Sequence, residues 1–336
     1  MQPNSVYRRG AGLMFALVIA LCVALQANGA QPQAKVIQIA YLAAGFLEAH
    51  RHLAQAFVQG MHELGYVEGD NLVINYRYAE GKYELLPEFA VELTKMKPDL
   101  IIASTSPAVR AAKHATASIP IVIVGVTDPV AQGFAASLAR PGGNVTGMSG
   151  QYEEIAPKML ELLKAAVPKA SRIALLVNAR QAARLNATYL KTSHDAAQTL
   201  GLELRPVEVQ GPNEFDAAFA TIMQAQPDAL VPLPDPMLFA EGKRIADFGA
   251  KSRLPTIGAY REFAEAGGLM SYGNNPAESY KRAATYVDKI LKGAKPGDLP
   301  IEQPTQFELV VNLKTAKLLG ITLPQSVLLR ADKVIQ

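Results

Sequence analysis

The fold is decided by PDLIIASTSPAVRAAKHATASIPIVIVGVTDPV, residues 98–130. This stretch contains an apolar run of β type at 98–104, a helical segment that begins at Pro107, and a second apolar run at 119–126. Strands that alternate with helices predict parallel sheets joined by right-handed crossovers. The fold class is therefore expected to be α/β.

The same succession of strands and helices occurs twice along the chain. Both halves contain a strand that begins with Pro-Asp, at Pro98-Asp99 and at Pro227-Asp228. The predicted strands of the first half lie at 35–42, 72–78, 98–104 and 119–126, and those of the second half lie at 172–178, 202–209, 227–233 and 254–260. Because each half has its own apolar strands, the sequence predicts two similar doubly wound lobes.

Three segments are expected to cross between the lobes: 138–150, 266–275 and 301–311. The first two are punctuated by Gly, and the first also by Pro, as expected for connections. A helix at 276–292 would return the chain to the first lobe. Further helices are predicted from His52 to Leu64, where Gly65 would end the helix, and from about 237 to 252. Asn312 would cap a short helix that Gly320 closes. The predicted domains are a signal peptide at 1–30, a first lobe made of 35–148 plus 276–304, and a second lobe made of 149–275 plus 305–336.

The N-terminal residues have the order of a secretory signal. Arg8 and Arg9 precede an apolar run from Ala11 to Leu25, and small residues follow as far as Ala30. The apolar run has about 15 residues, whereas a membrane span needs roughly 20. We expect a cleaved signal peptide and a periplasmic protein, with an uncleaved anchor as the alternative.

Composition excludes several classes of function. The chain has 336 residues, which suits about two domains, and its net charge of +3 does not favour nucleic-acid binding. The sole cysteine, Cys22, rules out a disulfide scaffold and a cysteine-ligated metal. The sequence contains no HExxH, CxxC or GxxxxGK[ST] motif, so we expect neither a metal nor a cofactor.

The candidate binding residues follow the predicted strands, because open parallel sheets bind ligands at the carboxyl ends of their strands. The most informative end is Ser104-Thr105-Ser106-Pro107. Proline suits the first turn of a helix, and hydroxyls beside the free N–H groups there suit a carboxylate. The alternative is that Ser106 only caps the helix.

Two acids and two tyrosines complete the argument from strand ends. Asp128 and Asp235 each precede a proline, so each would either bind an ammonium or hydroxyl group or cap the next helix. Tyr260 and Tyr272 would either close over an apolar or aromatic ligand or pack at the hinge. Asn178 ends a strand of the second lobe and is the expected partner there of the first-lobe hydroxyls.

The chain resembles the periplasmic substrate-binding proteins of ABC transporters, and more closely their tryptophan/tyrosine-type subfamily with the type I periplasmic binding-protein fold. The segments that carry the resemblance are LGYVEGDNLVINYRYAEG (64–81), IPIVIVGVTDPV (119–130), SLARPGGNVTG (137–147), AGGLMSYG (266–273), YVDKILKGAKPGDLPIEQPTQFELVVNLKTAKLLG (286–320) and LLRADKVI (328–335). The resemblance implies two lobes joined by three crossings, capture of a small ligand by hinge closure, and delivery to a membrane permease with an ATPase.

For an amino-acid-like ligand, the resemblance implies three groups of contacts. Carboxylate binding is assigned to Thr105, Ser106 and Thr127. Asp128 or Asp235 would bind the ammonium. Four aromatic residues would frame the side chain: Tyr41, Phe46, Tyr260 and Tyr272.

Three other functions are open to a chain of this kind. A periplasmic sensor would use the same cleft and present its ligand to a membrane receptor. A secreted enzyme would use Asp128 and Asp235 as a carboxylate pair across the cleft. A repressor would need an N-terminal DNA-binding motif where the signal lies. We expect a monomeric binding protein without enzymatic activity.

Overall fold

Two sheets with mainly parallel strands form the framework of the computed structural model, which describes residues 35–181 and 187–336. The chain divides into two units, 1–37 and 38–336. Of the first unit only residues 35–37 are described, and the first strand begins at Ile37. The signal peptide predicted at 1–30 lies outside the described residues.

The first sheet has five strands in the order β2-β1-β3-β4-β5. Its strands are β1 Ile37–Ala43, β2 Leu72–Tyr78, β3 Leu100–Ser104, β4 Ile121–Thr127 and β5 Val145–Gly150. The pairs β1–β3, β3–β4 and β4–β5 are all parallel. Helices of this part are α1 Leu47–Glu63, α2 Leu86–Lys95 and α3 Ser106–Ala115, with a 3₁₀ turn at Tyr83–Leu85.

The second half repeats that strand order. Its strands are β6 Arg172–Asn178, β7 Glu203–Val209, β8 Ala229–Pro232, β9 Ile257–Gly258, β10 Met270–Gly273, β11 Glu308–Asn312 and β12 Lys333–Ile335. They form the orders β7-β6-β8 and β12-β11-β10-β9. A bridge between Leu230 and Thr256 joins the two groups, which gives β7-β6-β8-β9-β10 as the counterpart of the first sheet.

The remaining helices cover the second sheet and connect it back to the first. They are α4 Tyr152–Ala166, α5 Ala187–Leu200, α6 Phe215–Gln224, α7 Pro236–Ala240, α8 Gly242–Lys251, α9 Arg261–Glu265, α10 Pro276–Leu291, α11 Leu313–Leu319 and α12 Gln325–Leu328. Short 3₁₀ turns lie at Ala179–Gln181, Pro212–Glu214 and Pro296–Asp298. The predicted α/β class with two similar parallel-sheet lobes is confirmed.

Helix α10 returns to the first sheet and packs on α1, as its predicted position between two crossings requires. A Cβ atom on Gly60 would lie 2.7 Å from the carbonyl oxygen of Lys281 and 2.9 Å from the Cβ of Ala284. Lys281 also forms an ion pair of 2.8 Å with Glu63. The two helices are therefore in close contact, and a small residue is needed where they cross.

The segments predicted as crossings lie beside one another in pairs. The chain at Glu302 bridges to Met148 of β5, and the N–H of Ser149 donates to the carbonyl of Glu302 at 2.9 Å. Strands β10 and β11 pair antiparallel. These contacts support three adjacent connections, whereas the residue bounds of the two lobes, 35–148 plus 276–304 and 149–275 plus 305–336, stay a prediction.

Two predicted helices have different limits in the structure. Helix α1 begins at Leu47 rather than near His52, because Phe46 precedes it in an extended conformation without a side-chain cap that the sequence could reveal. The predicted helix at 237–252 is divided into α7 and α8 at Glu241, directly before Gly242, a poor helix former. The first difference places His50 inside a helix that leads away from the sheet edge.

The small helix near the C-terminus agrees with its prediction. The Oδ1 atom of Asn312 accepts a hydrogen bond of 3.0 Å from the N–H of Thr315, and Gly320 ends the helix with φ 70°. Across residues 35–181 and 187–336, we find no helix with both the length and the apolarity that a membrane crossing requires.

Candidate ligand-binding cleft

A cavity of about 80 Å³ lies where strand ends of both sheets come together. Strands β3, β4 and β5 contribute residues at their carboxyl ends, and the second sheet contributes the segments after β8, β9 and β10. The lining comprises His50, Leu53, Ser104, Thr105, Ser106, Val124, Gly125, Thr127, Ser149, Gly150, Tyr152, Pro234, Asp235, Pro236, Phe239, Tyr260, Asn274, Pro276, Ser279 and Tyr280. Its position matches the general rule for open parallel sheets.

Thr105 has an unfavourable conformation at the start of α3. Its φ of 75° and ψ of 158° lie in a region that a β-branched residue rarely adopts. Its Oγ1 atom is buried and has no hydrogen-bond partner among the described residues. Strain together with an unpaired hydroxyl in a cavity is typical of a group held ready for a ligand.

Ser106 is held by a neighbouring side chain rather than by a cap. Its Oγ atom accepts a hydrogen bond of 2.9 Å from Nε2 of Gln132, which leaves the hydroxyl proton available for another acceptor. The same amide donates to the carbonyl of Thr127, and Arg110 donates to Oε1 of Gln132 at 3.1 Å. Gln132 thus connects α3 with the end of β4 and fixes the orientation of Ser106.

Asp235 is the carboxylate of the cavity. Its Oδ1 atom caps α7 by accepting from the N–H groups of Met237 at 2.8 Å and Leu238 at 3.1 Å, and its Oδ2 atom accepts from Asn178 at 3.0 Å. Burial raises the pKa of Asp235 from 3.8 to about 6, although these hydrogen bonds act in the opposite direction. The carboxylate is ionised at neutral pH at a cost that a bound cation would reduce.

A row of aromatic rings lines the same cavity. Phe239 lies 5.1 Å from His50 and 5.1 Å from Tyr260, and Tyr260 lies 6.4 Å from Tyr152, all as ring-centroid distances. We call these four residues the aromatic wall. His50 comes from α1 of the first lobe, while the other three follow the first crossing, so the wall joins both parts of the chain.

Two further polar groups belong to the lining. Asn274 is 5% exposed, and its Oδ1 atom lacks a hydrogen-bond partner within the part of the chain that the structure describes. Ser104 and Tyr280 are buried and share a hydrogen bond between their hydroxyls. Burial raises the pKa of Tyr280 well above its ordinary value, so its hydroxyl stays neutral.

The charges on the lining favour a ligand with its own cation. Asp235 is the one acidic residue in the lining as given by the described residues, and that lining includes no lysine or arginine. The described residues also contain no group of three or more His, Cys, Asp or Glu side chains that could hold a metal ion. An anionic part of a ligand would therefore be bound by neutral hydroxyls and N–H groups.

A family comparison decides what kind of protein this is. The model of the family described as ABC transporter substrate binding protein matches residues 46–335. The chain belongs to this family. Members bind small solutes outside the cytoplasm and work with a membrane permease and an ATPase; the family is one of solute-binding proteins rather than enzymes.

Similar proteins are known from Clostridioides difficile and Streptococcus pneumonia. A tyrosine-binding protein of Clostridioides difficile (strain R20291) is 28% identical over 267 residues, which is 80% of this chain and 76% of the relative. The crystal structure of an ABC domain in complex with L-Trp from Streptococcus pneumonia is 26% identical, with a TM-score of 0.80 over 89% of this chain and 99% of the other. A ligand-free, open substrate-binding protein with adhesive properties from Clostridium difficile is 25% identical, with a TM-score of 0.64 over 90% and 100%.

Half of the residues predicted for the site of this substrate-binding protein lie on the cavity. These are Thr105, Ser106, Thr127, Asp235 and Tyr260. The alternative role of Ser106 as a helix cap is not what the structure shows, because Thr105 occupies the position before the helix and neither side chain caps it. Asp235 both caps α7 and lines the cavity.

Two aromatic residues of the first lobe need correction. Tyr41 does not line the cavity: it is fully buried beside Phe57, Tyr76 and Tyr78, because β1 continues two residues beyond it to Ala43. Phe46 also lies outside the lining and packs instead against the apolar core of the second sheet.

Three other predicted residues also lie away from the lining. Asp128 is exposed, and its Oδ1 atom accepts a hydrogen bond of 2.9 Å from the N–H of Ala131 within a turn. Tyr272 packs on Phe307 with ring centroids 6.0 Å apart. Asn178 lies behind Asp235 and acts on the cavity only through that carboxylate. The predicted carboxylate pair of Asp128 and Asp235 is therefore not present on the lining.

The lining side chains that sequence reasoning missed include His50, Tyr152, Phe239 and Asn274. Two of them carried a local signal. Phe239 lies four residues after Asp235, on the same side of a short helix, and Asn274 directly follows β10. His50 and Tyr152 are brought to the cavity by helices, α1 and α4, whose starts the sequence does not mark.

Proposed function

We propose that this substrate-binding protein captures an aromatic amino acid and delivers it to an importer. The observation that carries the proposal is a single cavity that combines an unpaired buried hydroxyl, a buried carboxylate and a wall of aromatic rings. These three features correspond to the carboxylate, the ammonium and the side chain of such a ligand.

The carboxylate would bind at the start of α3. Thr105 and Ser106 offer hydroxyls there, Thr127 lies at the end of the neighbouring strand, and the first N–H groups of a helix have no acceptor inside the helix. The positive end of the helix dipole adds to this attraction. Neutral donors are sufficient because hydrogen bonds to a carboxylate are charge-assisted.

The ammonium would bind at Asp235. A buried carboxylate whose pKa is raised to about 6 gains from a neighbouring cation, which restores the stability of the charged form. Asn178 holds the carboxylate from behind. A zwitterion therefore complements both ends of the site, whereas a sugar offers hydroxyl donors but no cation to the charge of Asp235.

The side chain would pack on the aromatic wall. Phe239 and Tyr260 meet edge to face at 88°, and Tyr152 meets Tyr260 at 75°, so the wall presents ring faces and ring edges together. Aromatic pairs of this geometry are favourable beyond the area that they bury. Leu53 adds an aliphatic contact. The known ligands of the two similar proteins, tyrosine and L-Trp, support an aromatic ligand.

Contacts across the cleft support a closed arrangement in this structure. Nε2 of His52 in α1 lies 3.4 Å from Oε1 of Glu262 in α9, and Asn178 donates to the hydroxyl of Tyr83 at 3.5 Å. The TM-score is higher with the L-Trp complex than with the ligand-free, open protein, at similar identity and coverage. Ligand would shift the lobes toward this arrangement by touching both of them.

The remaining parts of the proposal concern location and partners. Residues 1–30 would be removed as a signal peptide, and the mature protein would act in the periplasm as a monomer. It would present its closed, loaded form to the permease, and the partner ATPase would supply the energy of transport. Catalysis is not part of this role.

Calorimetry on the mature protein tests the proposal. We expect one-to-one binding of L-Trp, L-Tyr or L-Phe, and much weaker binding of L-Leu, of indole-3-propionate, which lacks the ammonium, and of myo-inositol. Small-angle scattering should show compaction on saturation with the ligand that binds best. Absence of binding by all three aromatic amino acids would refute the proposal.

A further inference from the structure

We infer that His50 selects among aromatic ligands by accepting a hydrogen bond, through its Nε2 atom, from a donor group on the ligand ring. The site would then favour a phenol or an indole over an unsubstituted phenyl ring. This inference rests on the proposed function, because it assumes that an aromatic amino acid occupies the cavity.

The contacts of His50 decide which ring nitrogen carries the proton. Its Nδ1 atom lies 2.9 Å from the carbonyl oxygen of Phe46, which can only accept a hydrogen bond. Nδ1 must therefore carry the proton, and Nε2 of the neutral ring is left as an acceptor. This carbonyl also accepts the backbone N–H of His50 at 3.0 Å, so ring and backbone are fixed to one group.

Close packing holds the ring in this position. A Cβ atom on Gly45 would lie 2.6 Å from Cε1 and 2.9 Å from Nδ1 of His50, so the ring lies directly on the backbone of the first loop. The ring of Phe239 also packs against the imidazole ring of His50, with ring centroids 5.1 Å apart. An acceptor that is fixed by packing discriminates better than a mobile one, because little entropy is lost when it binds.

The surroundings keep this imidazole neutral. His50 is 8% exposed, and burial lowers its pKa, with a smaller effect from His52 in the same direction. The Phe46 carbonyl and Glu80 act in the opposite direction but do not overcome burial. At neutral pH the ring is therefore uncharged. It offers an acceptor to the cavity and adds no positive charge to that of the ligand's ammonium.

The aromatic wall determines which ligand group would reach the Nε2 acceptor of His50. His50 lies at one end of the aromatic wall, next to Phe239. A ligand ring that packs on Phe239 and Tyr260 would place its polar atom near this end. A bound aromatic ring would cover Nε2 of His50, and an acceptor that is covered without receiving a donor is costly, so a ligand that lacks the donor loses more than one hydrogen bond. The inference predicts discrimination between ligands that differ by a single polar group.

The experiment compares two matched ligand pairs by titration calorimetry. L-Tyr and L-Phe differ by one hydroxyl, and L-Trp and 1-methyl-L-tryptophan differ by the proton on the indole nitrogen. For the wild-type protein we expect the donor-bearing member of at least one pair to bind about ten-fold more tightly. Similar dissociation constants within both pairs would overturn the inference without any variant.

Two variants then assign the selectivity to His50. His50→Phe should reduce the preferred pair's ratio to about one, because the phenyl ring keeps the packing but has no acceptor. His62→Phe is the matched control: it changes an exposed histidine in the last turn of the same helix and should leave the ratio unchanged. Retention of the wild-type ratio in His50→Phe would overturn the inference. Failure of all aromatic amino acids to bind would instead refute the proposed function itself.

Discussion

Replacement of the buried carboxylate Asp235 by its amide should remove a pH-dependent cost of folding from the empty protein and weaken ligand binding. Burial raises the pKa of Asp235 from 3.8 to about 6, a difference of about two units. At 1.36 kcal/mol per unit, ionisation in the folded state costs about 3 kcal/mol at neutral pH. Asp235→Asn removes this cost and keeps an oxygen that can cap α7. The new amide N–H group would face the donor Nδ2 of Asn178, and this loss is the same at every pH.

The direction of the pH dependence follows from the same pKa. The folded value lies above the unfolded value, so the contribution of Asp235 to stability is fully present below about pH 4 and is lost as the pH rises through 6. Without ligand, the unfolding free energy of the variant relative to wild type should increase by about 2.5 kcal/mol between pH 4 and pH 7.5, because only wild type pays the cost of ionisation. Urea denaturation at the two pH values measures this difference.

Ligand affinity should change in the opposite direction. Loss of a charge-assisted contact with an ammonium weakens binding by about 1.5–3 kcal/mol at pH 7.5. In wild type, affinity should also fall about ten-fold between pH 7.5 and pH 5, since most of the carboxylate is protonated one unit below its pKa. Titration calorimetry with L-Trp across this range provides the profile.

The control is the pH profile of Asp235→Asn, which should be nearly flat. His50 is the histidine of the described lining, and burial lowers its pKa, so any residual slope toward low pH reports on that ring. A wild-type profile without a decrease, or a variant with wild-type affinity at pH 7.5, would show that Asp235 does not bind the ammonium. A stability difference between the two proteins that is the same at pH 4 and pH 7.5 would contradict the cost assigned to burial.

Three further predictions concern the hydroxyls, the first crossing and closure. The double change Thr105→Ala with Ser106→Ala should weaken binding of L-Trp by about 1–3 kcal/mol in calorimetry, and unchanged affinity would remove both hydroxyls from the site. Gly147→Ala should lower the free energy of unfolding by more than about 2 kcal/mol, because a Cβ atom would overlap the Ile123 carbonyl and an alanine is strained at a φ of 129°. The control is Gly133→Ala, which has a φ of 72° and open space around the new Cβ atom. It should lower the free energy of unfolding by only about 1 kcal/mol. Tryptamine, which lacks the carboxylate, should not compact the protein in small-angle scattering, and compaction equal to that caused by L-Trp would contradict closure by a ligand that bridges both lobes.

The framework could be predicted from sequence because its signals are local. Apolar β runs, glycines after helices and the repeated Pro-Asp starts predict the succession of strands and helices along each lobe, and right-handed crossovers make their sheets parallel. Strands 72–78 and 172–178 have the predicted limits. The strand predicted at 254–260 is reduced to two paired residues, Ile257 and Gly258, because pairing depends on the neighbouring strand and not on local composition.

The site was predictable where a side chain follows a strand directly, and not elsewhere. Thr105, Ser106 and Asp235 lie on the cavity for that reason. Tyr41 was misplaced because the strand continues beyond it. Asp128 was misplaced because its carboxylate closes a local turn, which is the common alternative role of an Asp before Pro.

His50 and Phe239 are lining residues that could not be predicted from strand ends. Each lies on a helix, and each reaches the cavity only because the two lobes meet, with ring centroids 5.1 Å apart. A contact between residues so distant in sequence leaves no trace in the local pattern of either segment. Side chains that reach the cavity only through contacts between the two lobes therefore cannot be identified from a single sequence.

The cavity is also where the local structure departs from its own preferences. Thr105 has a positive φ and an unpaired hydroxyl, Asn274 has an unpaired carbonyl oxygen, and Asp235 is ionised although it is buried. Each departure costs about 1–3 kcal/mol. A sequence selected for stability alone would remove these three departures. A zwitterionic ligand would relieve all of them, because its carboxylate would accept from the hydroxyl of Thr105. Its ammonium would donate to the carbonyl oxygen of Asn274 and to the carboxylate of Asp235. The groups that weaken the empty protein are thus the ones expected to hold it closed on a ligand.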